Sequence, residues 1–234
     1  MARGKAPATE LADLPYAAAL TAHEGGLAAG EHYDTVLFER QTLDGPSAPG
    51  ASFLECAFSQ FAVEGGTLQR ARFTDAWLRD VRLAGCSLAE SYWLDAAVRN
   101  GALAGVEAFG SELRRVVFAG CKLDSVNFRF SKLTEVTFDG CVLRDVEFIG
   151  AALTRVGFPG STLTRTDFSR ATLDRADLRG AELDIIADPG ALRGAIISAG
   201  QLAGFAPVLA ATLGITVREE LPDRPSQGAP GRPR

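Results

Sequence analysis

The chain has 234 residues, enough for one sizeable domain or two small ones, with a net charge of −5 and 47% hydrophobic content. No apolar run approaches the roughly 20 residues that cross a bilayer, and the start Met1-Ala-Arg-Gly-Lys-Ala-Pro has no apolar stretch behind its charges, which argues against a secretory signal. These features predict a cytoplasmic protein without a membrane or nucleic-acid partner.

Residues 1–30 read as a separate N-terminal segment. Within it, Thr9 to His23 has the spacing of a short helix, with Leu11, Leu14, Ala18 and Leu20 apolar and Gly25-Gly26 behind it. Such an element would cover one end of the domain that follows.

Residues 31–188 are governed by a period of five. Every fifth residue from Phe53 to Leu183 is apolar, and the residue two places earlier is mostly small or β-branched, as in Ala51/Phe53, Cys56/Phe58 and Ala71/Phe73. The frame holds through about 27 pentads, and a fixed period of this kind marks a repeat architecture. Two inward residues flanking one outward residue make a very short strand, and the remaining two positions turn a corner. Gly85, Gly105, Gly120, Gly140, Gly150, Gly160 and Gly180 occupy the second corner position, where freedom in φ relieves the bend. Repeating strand and corner closes into a solenoid whose coils bury their inner side chains on one another.

Departures cluster in the first half. Phe61, Gly66 and Gly101 stand in the small slot and Ala108 in the large one. The stretch Asp44-Gly-Pro-Ser-Ala-Pro-Gly keeps the count but not the pattern, and reads as a loop bulging from the first coil. Cys56, Cys86, Cys121 and Cys141 all fall in the small slot at spacings that match no zinc pattern, so they read as small buried hydrophobes.

The pattern breaks at Asp188-Pro189-Gly190, and residues 189–219 read as a C-terminal cap. Ser198 is placed as a helix N-cap. Leu202, Phe205, Leu209 and Leu213 recur at helical spacing to the Gly214 stop, giving a helix over about 198–213. Its apolar face is expected to cap the last coil or to build a homodimer. Residues 220–234 lack apolar content and read as a disordered tail.

Ala176-Asp177-Leu178-Arg179-Gly180 and Ala181-Glu182-Leu183, with the variants Val126-Asn127-Phe128 and Thr166-Asp167-Phe168, resemble the consensus of the pentapeptide repeat family. The resemblance implies an all-β fold, a right-handed quadrilateral parallel β-helix with four pentads per coil, here about seven coils with a C-terminal capping helix. It also implies a protein that works by binding, since some bacterial members mimic B-DNA, bind DNA gyrase and protect it from quinolones.

A DNA mimic needs a face of aligned carboxylates. With four pentads per coil, every twentieth residue shares a face. Between Ala51 and Leu183 there are 17 acidic and 16 basic residues, and the most acidic face carries Glu90, Glu107, Glu147 and Asp167 against Arg70, Arg129 and Arg170. The rod is nearly neutral. The same sorting aligns Trp77 and Val117 on one face and Phe109, Phe130 and Ile149 at corners of three successive coils, candidate protein interfaces unless the N-terminal segment or the loop near Pro46 covers them.

No catalytic constellation, cofactor motif or metal-ligand cluster is found. The sequence therefore predicts a non-enzymatic binding protein that needs no cofactor. Its specific partner by resemblance is a type II topoisomerase (gyrase), with antibiotic protection as the outcome. The alternative is a scaffold or regulatory module for another protein, without DNA mimicry.

Overall fold

The computed structural model describes residues 8–186 and 190–218. Met1 to Pro7, the expected break at Asp188-Pro189 and the expected tail 220–234 lie outside the described residues.

The repeat region forms a parallel β-solenoid of about eight turns. Each coil contributes three-residue strands to three faces. The first face stacks His32–Asp34, Ser52–Leu54 and their successors down to Thr172–Asp174; the second runs from Val36–Glu39 to Thr137–Asp139; the third runs from Thr42–Asp44 to Glu182–Ile186. The fourth face is a ladder of single bridges through Ser47, Thr67, Ser87, Glu107, Asn127, Glu147 and Asp167. Ladder partners between the coils differ by twenty residues, as in Trp93↔Leu113 and Phe118↔Phe138; the exceptions are the first pair, Thr21↔Val36, the shift between Thr164 and Thr166, and the last pair, Ala176↔Ala195.

Sequence dictates this geometry through the corner. Every fifth residue from Gly30 to Gly180 has a positive φ, whether it is Gly, Arg, Asp or Phe. Between the fourth and first faces the corner is closed by an i→i+3 hydrogen bond, for example Ala51 N to Ala48 O at 3.3 Å and Ala151 N to Phe148 O at 3.0 Å. A positive φ at the third turn residue is the type II pattern, which favours Gly.

The core is the stack of inward side chains. Phe118, Phe138 and Phe158 lie parallel at 4.9 and 5.1 Å, and Phe128, Phe148 and Phe168 at 5.4 and 5.2 Å. Phe138 is fully buried, so truncation to Ala would cost about 3–5 kcal/mol. The four cysteines are free and buried in the small slot.

The turn count exceeds the sequence estimate of seven because the first coil begins at His32 and the last continues to Ala195–Ile196, which pairs with Ala176–Asp177. The stretch 44–50 is no bulge. Asp44 ends a strand, Ser47 bridges to Thr67, and Ala48 is fully buried in the large slot. Gly66 makes room for it, since a Cβ there would stand 2.3 Å from the Pro46 carbonyl oxygen.

Helical spacing over Thr9–His23 yields two 3-10 turns, Leu11–Asp13 and Ala17–Ala19, and a short strand, Thr21–Ala22, that pairs with Val36–Leu37. The strand protects the edge of the second face, which would otherwise present unpaired backbone groups. Leu27 and Tyr33 pack at the N-terminal end of the core, with His23 edge-on to Tyr33 and Phe38 at 5.4 and 5.2 Å.

Candidate interaction surfaces

Trp77 is not an open surface. The N-terminal segment runs as a strap across the second face, burying Trp77 to 2% exposure together with Ala57 and Ala97 beneath Leu14 and Tyr16. An apolar column on an outward face needs such a cover, and the strap supplies it with polar anchors. Trp77 Nε1 donates to the Ala8 carbonyl at 3.2 Å, and Arg99 Nε donates to the same oxygen at 2.8 Å. Glu10 pairs with Arg79, and the Tyr16 hydroxyl donates to the Asp75 carbonyl at 2.6 Å. Burial, with Asp75 nearby, pushes the Tyr16 phenol well above its usual range. Val117, one coil beyond Ala97, is half-buried.

The strap leaves a cleft of about 370 Å³ lined by Thr9, Asp13, Tyr16, Asp75, Asp95 and Ala97. The Asp75 carboxyl is raised by burial and by the charges of Asp95 and Glu55. Asp95 itself accepts two hydrogen bonds from Arg115, both at 2.6 Å.

Phe109, Phe130 and Ile149 form an open patch. Phe109 and Phe130 are 41% and 58% exposed, and their rings meet edge to face at 5.8 Å. Ile149 is half-buried beside them. Phe130 is the third residue of a turn closed by Ser131 N to Phe128 O at 3.2 Å, and has φ +56°. A bulky aromatic is an outlier there. Its neighbours in the column, Gly110 and Gly150, are both glycines, and a Cβ on Gly150 would stand 2.8 Å from the Phe130 ring.

The acidic face does not behave as a phosphate ladder. Glu90 lies 3.9 Å from Arg70, and Glu107 accepts from Asn127 Nδ2 at 2.6 Å. Glu147 contacts Arg129 at 2.9 Å, and Asp167 accepts from the Ser169 backbone at 2.7 Å. Glu90 and Glu147 are paired with arginines, while Glu107 and Asp167 bond neutral groups and keep their charge, so the face carries isolated charges rather than an aligned run.

Sequence reasoning missed a second set of ion pairs, between residues twenty apart at neighbouring corners: Arg155–Glu135 at 2.7 Å, Arg165–Asp145 at 2.5 Å and Arg144–Asp124. The Arg144 and Arg165 guanidiniums hold the Asp124 and Asp145 carboxyls below the usual range. The signal was present as opposite charges at i and i+20, but a sum over each face cancels it. Such exposed pairs align coils at a small, salt-screened gain.

Helix α1 spans Ala199–Thr212, with a capping box between Ser198 and Gln201. It does not lay an apolar face on the last coil. Leu202 is 48% and Leu213 75% exposed, while Phe205 and Leu209 are half-buried. The core end is closed instead by Ile185, Leu192, Ala195 and Ile197. Gln201 Nε2 fastens the helix to the rod, donating to the Leu178 and Ala181 carbonyls at 2.7 and 2.8 Å. The reason is compositional: the residues around the helix are apolar or small on all sides, so no single face is driven inward.

Among the described residues no group of His, Cys, Asp and Glu is arranged to hold a metal ion.

Residues 111–186 match the model of the pentapeptide repeat region. No curated protein matches the sequence. Among solved structures, the chain is similar to HetL, a pentapeptide repeat protein involved in heterocyst differentiation regulation from the cyanobacterium Nostoc sp. strain PCC 7120, at 19% identity over 74% of this chain and 91% of that one, with a TM-score of 0.43. It is also similar to trypsin-treated QnrB1, a plasmid-mediated fluoroquinolone resistance protein, at 20% identity over 84% of this chain and 94% of that one, with a TM-score of 0.45. Residues 111–186 are thus a pentapeptide repeat region, and the same five-residue frame continues through the coils before it.

Proposed function

We propose that this protein is a non-catalytic rod that binds another protein through the Phe109–Phe130–Ile149 corner. One observation carries the reading: an exposed Phe sits at a left-handed turn position that favours Gly, with its ring over a glycine that leaves room for it. Neither folding nor core packing calls for an aromatic there. Exposed aromatics at the centre of a patch are the residue type that anchors protein interfaces.

The specific partner suggested by the family resemblance is a type II topoisomerase. The arginine partners of Glu90 and Glu147 break the run of free carboxylates, which favours engagement by apolar contact over imitation of DNA. A scaffold or regulatory module for a different protein fits the same surface.

A gyrase supercoiling assay, with and without a quinolone, tests the specific partner. The expected result is a protein-dependent change in supercoiling or in poisoning that Phe130→Asp removes. No effect at a protein excess overturns the gyrase reading. An effect that survives Phe130→Asp overturns the assignment of the surface.

A further inference from the structure

The geometry points to the cleft between the N-terminal strap and the second face as a binding site for a small organic cation, a primary ammonium carried on an apolar body. The space is about 370 Å³, within the range of sites that take small molecules. Strap and rod build it together. Ala8 and Tyr16 pin the strap to Trp77, Arg99 and the Asp75 backbone, and the chain between them spans the cleft without filling it. Its lining divides by chemistry into apolar groups, chiefly Leu14, Trp77 and Ala97, and three carboxylates, Asp13, Asp75 and Asp95.

No Lys, Arg or His lines the space, and the three carboxylates are not equivalent. Asp95 is held by Arg115 through two hydrogen bonds, and Asp13 accepts from the Glu10 backbone N–H at 3.2 Å. Asp75 differs. Its backbone carbonyl takes the Tyr16 hydroxyl, while its carboxylate accepts no hydrogen bond among the described residues. Further along the same corner column the charges pair, Asp95 with Arg115 and Glu135 with Arg155, but Asp75 stands one coil from Glu55 on one side and from Asp95 on the other. Burial, and then the charges of Asp95 and Glu55, disfavour the bare carboxylate. A positive charge is what it lacks.

The lining selects an organic cation over a metal ion. Among the described residues no group of His, Cys, Asp and Glu is arranged to hold a metal, and a floor of Trp77 and Ala97 supplies none of the oxygens that replace an ion's water. An ammonium on an apolar body uses both parts of the lining. It donates charge-assisted hydrogen bonds to Asp75 and buries its carbon on Leu14, Trp77 and Ala97. The surrounding field concentrates such a ligand, because residues 8–64 hold nine acidic residues against one basic one, Arg40. A charge sum from Ala51 to Leu183 leaves most of this excess out.

Isothermal titration calorimetry of the full chain with phenethylamine tests this, beside phenethyl alcohol, which has the same body without the charge. The amine is expected to saturate a single site and the alcohol to give no binding over the same range. Asp75→Asn should weaken amine binding at least about tenfold, the size of a lost charge-assisted hydrogen bond. Asn tolerates the left-handed backbone at this position, φ +50°, and the Tyr16 bond to the backbone carbonyl is untouched, so urea unfolding of the variant should match the parent's. Asp139→Asn, at an exposed carboxylate on another coil, should leave binding unchanged. So should Phe130→Asp, which separates the cleft from the protein-binding corner. No binding of the amine by the parent overturns the inference, as does equal binding of the alcohol or undiminished binding by Asp75→Asn. An equal loss in Asp139→Asn would assign the binding to general surface charge and overturn it too. The comparison with the alcohol uses the parent alone, so it decides the matter even if Asp75→Asn fails to fold.

Discussion

The Phe130 ring lies against the Cα of Gly150, one coil on, so closely that a Cβ there would meet it at 2.8 Å. Gly150 also has φ +67°. Gly150→Val should therefore act twice, displacing the ring and forcing a β-branched residue into the left-handed region. The left-handed conformation alone costs about 1–2 kcal/mol. Urea unfolding should show a loss of at least that size. Phe130→Asn should move the other way, gaining roughly 0.5–1 kcal/mol, because Asn tolerates this conformation and Phe does not. A loss of stability in Phe130→Asn would show that the exposed ring is structural, and would remove the main support for a binding role.

The strap is tied by Tyr16, and its phenol is raised by burial. The folded state thus holds the phenol proton more tightly than the unfolded chain. Stabilisation from this group is present in full below the unfolded tyrosine value near about 10 and is lost as pH rises from there toward the raised folded value. Trp77 reports the event, because it is buried only while the strap is seated. Its fluorescence should shift to the red on alkaline titration before the coils unfold. In Tyr16→Phe the alkaline slope should vanish, at a cost of about 1 kcal/mol for the lost hydrogen bond to Asp75. An unchanged slope would mean that another group releases the strap.

Burial pushes the thiols of Cys56 and Cys86 up to about 11. At neutral pH both are protonated and enclosed, and the thiolate is the reactive form. A soluble disulfide reagent should label neither in the native state, and both on unfolding in urea. Rapid labelling of Cys56 alone would place an opening in the first coils, where the slots are least regular.

The repeat was legible because its cause is local. An inward pair and a left-handed corner recur at fixed spacing, so the twenty-residue register of Trp93 with Leu113 follows from counting. Trp77 was not legible in the same way. Its slot is outward by period, and only a contact across about seventy residues with Ala8 and Leu14 buries it. The N-terminal segment failed for a related reason: its apolar residues follow the surface they cover, and their helical spacing has no helix behind it. Phe130 could be read as an exposed corner residue from its frame. Its seat on Gly150 could be found only by pairing positions twenty apart.

Ala108 offers a test of the interior. Its column neighbours are Leu88 and Phe128, and it lines an internal void of about 20 Å³ with Leu88, Trp93, Val98, Leu113 and Phe118. An apolar void of this kind stays dry, and its lining loses dispersion contacts. Ala108→Leu places a side chain of the column's usual shape into that space and should raise stability by about 1 kcal/mol. Phe109 follows directly in sequence, so the same variant should hold the exposed corner more firmly and leave partner binding equal or tighter. Destabilisation by Ala108→Leu would mean that the coil has closed around Ala108 and that the large slot there is already full.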